Sequence, residues 1–208
     1  NLFALAAVAL WASLAALGDA VDALRESAPA PAPLMLGVLP TVTGDLLPGA
    51  LARWREGQPQ RALRVSTGLN HELLAALRAG ELDLVLGRMA EPADMRGLSF
   101  ELLVTEPLVV VGRAGHPLRR ARPPSAARLS ACPWVLPLPG TVIRHAADGW
   151  MERAGVTPTA GLTETLSGGL ARALLAGSDA LWCAPAAAVA PGIAAGELAP
   201  LTLDLRRH

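Results

Sequence analysis

From Leu34 onward, short apolar runs alternate with amphipathic segments in the first half of the chain. The runs begin at residues 34, 62 and 82 and read "LMLGVLP", "ALRVSTG" and "LDLVLG". Between them, "TVTGDLLPGALARWRE" and "LNHELLAALRAGE" place apolar residues at helical spacing. The distance between successive runs fits a strand, a crossover helix and two loops, so this half is predicted to fold as β-α-β-α-β.

The same alternation returns in the second half of the chain. After the apolar runs "LSFELLV" and "PLVVVG" and an Arg- and Pro-rich stretch, new runs begin at residues 134, 161 and 180, with two helical patterns between them. Alternating strands and helices indicate an α/β fold with mainly parallel sheets. We predict two similar subdomains, at residues 34–112 and 113–208, with a hinge near residues 113–117.

The N-terminal segment carries no charge before Asp19, and its apolar residues follow a heptad seam. This pattern predicts a helix over residues 1–28 that pairs with a second copy, followed by a Pro-rich linker at residues 29–33. A helix packed on its own domain and a signal or membrane segment are the alternatives. The membrane alternative is weakened because the uncharged stretch is shorter than the roughly 20 residues of a spanning helix and begins without Lys or Arg. The residues expected to mediate dimerisation are Leu10, Leu14, Leu17, Val21 and Leu24.

The composition argues against several classes of function. Eighteen basic and 18 acidic residues give a formal net charge of zero, so the chain lacks the basic excess of a domain that binds a phosphate backbone. Phosphate-loop, dinucleotide, zinc-protease and serine-hydrolase motifs are absent from the sequence, so no enzyme activity, cofactor or metal is expected. Cys132 and Cys183 are predicted to be two buried thiols in a reducing cytoplasm rather than a disulfide.

The loops after the predicted strands carry the candidate binding residues, because ligands of parallel sheets bind outside the carboxyl ends of the strands. These loops read "PTVTG", "STGLN", "LPGT" and "ETLSGG". Helix capping alone explains such side chains, whereas converging helix N-termini would also form an anion pocket. Arg144, three residues after Thr141, is placed to add a bidentate bond to a carboxylate. Arg88 fits either a ligand contact or a salt bridge to Glu91 or Asp94.

Several stretches resemble the effector-binding region of the LysR-type transcriptional regulators, and among them the regulators of protocatechuate catabolism. The family likeness rests on "LRAGELDLVLGR" followed by "EPLVVV" and "HPL", and the subgroup likeness on "GRMAEP" and "LPGTVIR". The resemblance runs from about Leu34 to Leu205. It implies two Rossmann-like subdomains, as in the type 2 periplasmic binding proteins, with a small-molecule inducer in the cleft between them.

The resemblance also implies partners and site residues. The N-terminal segment is similar to the family's linker helix, which mediates self-association as a dimer or tetramer and leads from a winged helix-turn-helix that binds DNA. That DNA-binding domain, and the return strand and last helix of the first subdomain, are expected to lie outside this chain. The inducer would be a carboxylated intermediate of aromatic catabolism, with Arg144 facing its carboxylate. The implied inducer contacts are Thr41, Val42, Thr43, Thr67, Gly68, Leu69, Arg88, Gly140, Thr141, Val142 and Arg144.

A periplasmic solute-binding protein of the same fold is the alternative function, supported by the uncharged N-terminal residues and opposed by the heptad seam and the unpaired cysteines. The remaining candidates for chemistry have structural explanations. Trp150 and Trp182 fall in apolar patterns and are predicted to be core residues. Asp83 is expected to fix the start of a strand, and His116, which precedes Pro117, is expected to shape the turn at the hinge.

Overall fold

We describe the protein from a computed structural model, which describes residues 2–7, 32–42, 46–120, 123–203 and 205. These residues form two compact units. The first unit contains the described residues within 4–39 and 49–105, and the second contains those within 1–3, 40–48 and 106–208. Each unit combines strands and helices in the way that the α/β prediction requires, so the fold class is confirmed.

In the first unit, three parallel strands and one antiparallel strand form the sheet. The elements in chain order are β1 (Leu2–Ala7), β2 (Leu34–Val38), α1 (Leu46–Gly57), β3 (Leu63–Thr67), α2 (Asn70–Arg78) and β4 (Leu84–Arg88). Strand β2 lies between β3 and β4 and is parallel to both. Leu36 and Val38 of β2 and Leu73 of α2 are core residues, each at most 4% exposed. The β-α-β-α-β prediction for this half is therefore confirmed.

Strand β1 departs from the predicted N-terminal helix. Residues Leu5–Ala7 pair antiparallel with β4, with Leu5 opposite Arg88. A short, uninterrupted apolar run fits a buried strand as well as a helix, and the edge of β4 offers backbone groups to pair with. The five predicted dimerisation residues lie outside the described residues. Within the described part of the chain, no helix has the length and apolar character needed to cross a membrane.

The second unit has a mixed sheet in the order β9-β5-β8-β6-β7. Strand β6 runs parallel to both of its neighbours, whereas β5 runs antiparallel to β8 and β9. The elements are β5 (Leu102–Arg113), α3 (Ala126–Ser130), β6 (Trp134–Leu136), α4 (Val142–Ala154), β7 (Leu162–Glu164), α5 (Gly168–Ala176), β8 (Leu181–Pro185), α6 (Ala186–Ala194) and β9 (Leu198–Pro200). Short 3-10 turns occupy Pro40–Val42 and Pro117–Arg120.

The division into subdomains between residues 112 and 113 stays a prediction. The apolar run just before it lies in the second unit, which contains the described residues from Glu106 onward. The reason is the pairing of β5, because Leu108–Val111 form ladder hydrogen bonds with β8 and Val111–Arg113 with β9. The apolar run "PLVVVG" thus belongs to the second sheet, which the sequence pattern alone does not reveal.

Helices α4 and α5 cover opposite faces of the second sheet. Trp134 on one face of β6 packs in a cluster with Ile143 and Trp150 of α4. Val135, whose side chain points to the other face, packs with Leu175 of α5. Since β6 is buried on both faces, the two helices are fixed against it, and so are the loops that lead into them.

Candidate functional site

Two of the predicted binding loops lie side by side in the second unit. Strands β6 and β7 are parallel neighbours, with Leu136 opposite Glu164 at their carboxyl ends. The loop at residues 137–141 leads from β6 into α4, and the loop at residues 165–167 leads from β7 into α5. We call these two loops, together with Glu164 and the first turns of α4 and α5, the carboxyl-edge site.

One hydroxyl side chain of each loop caps the helix that follows, as the capping interpretation predicted. Thr141 Oγ1 accepts a hydrogen bond from the backbone N–H of Arg144 (3.2 Å) and donates one to the carbonyl oxygen of Leu138 (2.8 Å). Ser167 Oγ accepts from the backbone N–H of Leu170 (3.2 Å). Each cap satisfies one first-turn amide, and the other first-turn amides have no partner within their own helix. Capping and anion binding at these helix starts are therefore compatible.

Arg144 connects three parts of the carboxyl-edge site. Its Nε donates to Asp148 Oδ1 at 2.8 Å, and its Nη1 donates both to the carbonyl oxygen of Pro137 at 3.1 Å and to Glu164 Oε1. The Arg144 side chain is only 15% exposed. Burial disfavours its charge, but the hydrogen bonds to Glu164 and Asp148 outweigh burial and raise the pKa of Arg144 above its usual range. Arg144 is thus a fixed cation that ties α4 to the ends of β6 and β7.

These contacts change the charge that a ligand would meet. One guanidinium faces two carboxylates, Asp148 and Glu164, so the cluster as a whole carries a net negative charge. Two groups keep hydrogen-bonding capacity, since no described residue accepts from Arg144 Nη2 or donates to Glu164 Oε2. Arg144 Nη2 can thus still donate to the carboxylate of a ligand, as predicted. The ligand would then lie next to the carboxylate of Glu164, which the sequence analysis did not predict.

Exposed apolar side chains lie on the same loops and helix starts. Leu138 in the first loop is 36% exposed, Val142 at the start of α4 is 56% exposed and Leu170 in α5 is 47% exposed. Gly140, also exposed, has a φ of +79°, a conformation that residues with a Cβ rarely adopt. Gly140, Thr141, Val142 and Arg144 are neighbours in sequence and all lie in the carboxyl-edge site. Their contact with an inducer remains a prediction.

In the first unit, the loop from β3 to α2 holds Thr67, Gly68 and Leu69 at the carboxyl edge of the sheet. Thr67 is exposed and lies opposite Val38, the last residue of β2. The backbone N–H of Leu69 donates to Glu72 Oε2 at 2.9 Å, so a side chain from within the helix satisfies the amide at its start. The inducer contacts assigned to Thr67, Gly68 and Leu69 remain predictions.

Asn70 is a residue that the sequence reasoning missed. Its Nδ2 donates to the carbonyl oxygen of Arg88 at 3.0 Å, and its Oδ1 accepts from the backbone N–H of Arg88 at 2.8 Å. The only sequence signal was an amide side chain in the loop "STGLN", which we interpreted as a helix cap. Instead, Asn70 binds the loop after β3 to the end of β4.

Arg88 itself is 9% exposed and lines a small cavity with apolar residues of its own unit. The cavity has a volume of about 20 Å³, which is room for about one water molecule. It is therefore too small to be a pocket for an organic ligand. The inducer contact of the Arg88 side chain remains a prediction.

The loop after β2 contributes less than expected to an accessible surface. Val42, in the 3-10 turn, is 1% exposed, so its side chain belongs to the core rather than to a ligand surface. Thr41 in the same turn is partly exposed. Thr43 lies outside the described residues. A ligand contact of Val42 would have to involve its backbone.

Neither cysteine forms a disulfide, as predicted. Burial raises the pKa of the fully buried Cys183 to about 12, and burial with the nearby charge of Asp179 raises the pKa of the half-buried Cys132. Both residues thus favour the neutral thiol, which is the unreactive form. Within the described residues, no group of three His, Cys, Asp or Glu side chains is placed to hold a metal ion.

Comparison with known proteins identifies related regulators. The family model for the LysR substrate binding domain matches residues 28–208. The transcriptional regulator PcaQ of Agrobacterium fabrum is 37% identical over 194 residues, which are 93% of this chain and 62% of PcaQ. A probable hydrogen peroxide-inducible genes activator of Mycobacterium avium is 35% identical over 76% of this chain and 51% of its own length. The chain thus spans about half to two thirds of the length of these relatives.

Solved structures agree with this assignment of fold. The regulatory domain of CcmR from Synechocystis, in complex with 2-PG, superposes with a TM-score of 0.64 at 20% sequence identity. The match covers 84% of this chain and 82% of the CcmR domain. The relatives are described as transcriptional regulators, in agreement with the expectation that this chain is not an enzyme.

Proposed function

Because the chain belongs to the LysR substrate-binding domain family, we propose that it is the inducer-sensing region of a bacterial transcription regulator. Its inducer is a small carboxylated metabolite of aromatic catabolism. In the whole protein, inducer binding shifts a conformational equilibrium that acts on an N-terminal DNA-binding domain. The regulator works in the cytoplasm as a dimer or tetramer, through the N-terminal segment.

The carboxyl-edge site carries this proposal. It combines the first-turn amides of two helices, the Nη2 group of Arg144 and the exposed apolar side chains of Val142 and Leu170. Amides at helix starts and a guanidinium favour an anionic group, whereas exposed apolar side chains favour a hydrocarbon ring. An aromatic carboxylate has both features. The resemblance of "GRMAEP" and "LPGTVIR" to the regulators of protocatechuate catabolism supports an acid of aromatic catabolism as the ligand.

The thiols argue against peroxide sensing, which the name of the M. avium relative raises as an alternative. Oxidation by peroxide requires a thiolate, and thiolates form at sites where the pKa is lowered. Cys132 and Cys183 both have raised pKa values and no cation bonded to the sulfur. The periplasmic alternative is less well supported, because the relatives are named as HTH-type transcriptional regulators.

A thermal-shift screen of aromatic carboxylic acids, each beside its methyl ester, tests the proposal. The acids should raise the melting temperature of the chain because they bind the folded state, whereas the esters should not because they lack the anionic group. Stabilisation by none of the acids, or equal stabilisation by acids and esters, would contradict a carboxylate sensor.

The position of the anion is tested by calorimetry on Arg144→Lys. This substitution keeps the charge but removes the planar fork that binds Glu164, Asp148 and the ligand together. We expect at least a tenfold loss of affinity for the best acid. Arg153→Lys is the matched control, since Arg153 lies in the last turn of the same helix, far from its N-terminus. Equal losses in the two variants would remove Arg144 from the site.

A further inference from the structure

The pair formed by Arg144 and Glu164 offers a donor and an acceptor side by side. Arg144 Nη1 binds Glu164 Oε1, which leaves Arg144 Nη2 and Glu164 Oε2 without partners among the described residues. Glu164 is the last residue of β7, so it stands at the carboxyl edge itself. Its side chain is 35% exposed, which is more than twice the exposure of Arg144. A molecule that approaches Arg144 at this edge also meets Glu164.

This geometry penalises a carboxylate that carries no neighbouring hydrogen-bond donor. Such an anion could bind Nη2 but would lie beside the unshared oxygen of Glu164, in a cluster that is already net negative. Like charges in contact disfavour binding, and an unpaired acceptor covered by a ligand costs further free energy. A hydroxyl or amino group next to the carboxylate removes both penalties, because it donates to Oε2.

We propose that Glu164 is a specificity-determining residue, which selects carboxylic acids that carry a hydroxyl or amino donor and rejects the analogues that lack it. The inference rests on the proposed function, since it assumes that a carboxylated ligand occupies the carboxyl-edge site. It adds a second requirement to the carboxylate, namely a hydrogen-bond donor on the same ligand. Arg144 attracts the anion, and Glu164 requires the donor.

Asp148 provides the matched control. It binds the same guanidinium, Nε to Oδ1 at 2.8 Å, but it lies one helical turn beyond Arg144, away from the start of α4. Asp148→Asn and Glu164→Gln each remove one negative charge from Arg144. Only Glu164→Gln also changes the group at the edge of the sheet, so a comparison of the two variants separates general charge from donor recognition.

The test is calorimetric titration of the chain with pairs of acids that differ by one hydroxyl, such as 4-hydroxybenzoate with benzoate and 3-hydroxybenzoate with benzoate. The unsubstituted protein should bind the better hydroxy acid at least about tenfold more tightly than benzoate, because a site built to bond a hydroxyl rejects analogues without it. Asp148→Asn should increase the affinity for both acids by a similar factor. Glu164→Gln should increase the affinity for benzoate more than the affinity for the hydroxy acid. The ratio of the two affinities should fall at least threefold.

Two results would overturn the inference. If Glu164→Gln and Asp148→Asn retain the same preference for the hydroxy acid, Glu164 does not read the donor. If no acid binds the unsubstituted protein, the proposed function fails and this inference fails with it. Glu164→Asp serves as a second variant if Glu164→Gln has a lower melting temperature than the unsubstituted protein. It keeps the negative charge, but its shorter side chain moves the carboxylate oxygens away from the ligand. It should also weaken the preference.

Discussion

The side-chain amide of Asn70 forms two hydrogen bonds with the backbone of Arg88, and we call this pair of bonds the clamp. Asn70 Nδ2 donates to the carbonyl oxygen of Arg88 at 3.0 Å, and the backbone N–H of Arg88 donates to Asn70 Oδ1 at 2.8 Å. This contact matters because Asn70 begins α2, whereas Arg88 ends β4. A single side chain thus fixes the positions of two segments to which inducer contacts were assigned. The clamp uses both the donor and the acceptor of the Asn70 amide, so its loss removes two hydrogen bonds from the backbone of Arg88.

Asn70→Asp is predicted to destabilise the protein. The substitution keeps the shape of the side chain but replaces the donor Nδ2 with an oxygen that faces the carbonyl oxygen of Arg88. We expect the free energy of unfolding to fall by about 1–3 kcal/mol, the usual cost of an unsatisfied, partly buried polar group. Urea unfolding at pH 7 measures the change. Gln60→Glu, an equivalent change at an exposed position before β3, should leave the free energy within about 0.5 kcal/mol.

Gly87→Ala is predicted to disturb the same clamp. A Cβ at Gly87 would lie 2.8 Å from Asn70 Oδ1 and 3.2 Å from Cγ1 of Val85, so the Asn70 side chain would have to move. We expect a loss of about 1–3 kcal/mol, in the range for overpacked sites. Gly49→Ala is the control, because nothing lies within 4 Å of its added Cβ and Ala favours the helix α1.

The double variant Asn70→Ala with Gly87→Ala distinguishes a specific clash from a general effect on β4. If the clash with Asn70 causes the loss, the two changes should not be additive, since Ala at position 70 removes the atom that the new Cβ would meet. Purely additive free energies would indicate that Gly87 is required for another reason.

The clamp also shows which features the sequence could predict. Asp83 was expected to fix a strand start, and its Oδ2 accepts from the backbone N–H of Met35 at 2.7 Å, at the start of the neighbouring strand β2. Trp150 was expected in the core and is 5% exposed, with its ring centroid 6.1 Å from that of Trp134. Both predictions used patterns that are local in sequence: an acid at the end of a turn and helical periodicity.

Contacts that depend on strand register could not be predicted in this way. Asp148 lies four residues after Arg144 on one helix, so their contact follows from helical geometry. Glu164 lies 20 residues away and meets Arg144 only because β7 pairs with β6 in the register that sets Glu164 opposite Leu136. Sequence patterns therefore identify the cation, and helical spacing can add Asp148, but Glu164 requires knowledge of the strand register.

His116→Ala is predicted to be strongly destabilising. The His116 side chain is 3% exposed, its Nε2 lies 3.0 Å from the carbonyl oxygen of Asp179, and its Nδ1 accepts from the backbone N–H of Leu118 at 3.1 Å. Since Nδ1 accepts, Nε2 carries the proton and donates. Truncation leaves both backbone groups unsatisfied and creates a cavity, so we expect a loss of about 2–4 kcal/mol in urea unfolding.

His71→Ala is the control for this prediction, because His71 is exposed on α2. Its free energy of unfolding should remain within about 0.5 kcal/mol of the unsubstituted protein. Similar values for the two variants would show that the turn at Pro117–Arg120 does not depend on the His116 ring. The prediction that His116 shapes this turn would then be wrong.

The buried thiol of Cys183 is predicted to make the protein less stable at alkaline pH. Burial raises its pKa from 9.0 to about 12 in the folded state, so between these values the unfolded chain loses a proton that the folded chain keeps. Stability therefore falls as the pH rises above 9, by about 1.4 kcal/mol per pH unit from this group. Below pH 9 both states bind the proton, and the contribution is constant.

Urea unfolding of the unsubstituted protein and of Cys183→Ala, at pH 8 and pH 10 with a reductant, measures this effect. Each variant is compared with itself, so the cavity left by Cys183→Ala cancels and only the pH dependence remains. The unsubstituted protein should lose about 1–2 kcal/mol more than the variant between the two pH values, because the other titrating groups are shared. Cys132→Ala, which retains the fully buried thiol, should keep the greater part of the slope. Equal slopes for the protein with and without Cys183 would contradict this prediction. They would mean that the Cys183 thiol has the same pKa in the folded and the unfolded chain, despite its position in the core of the second unit.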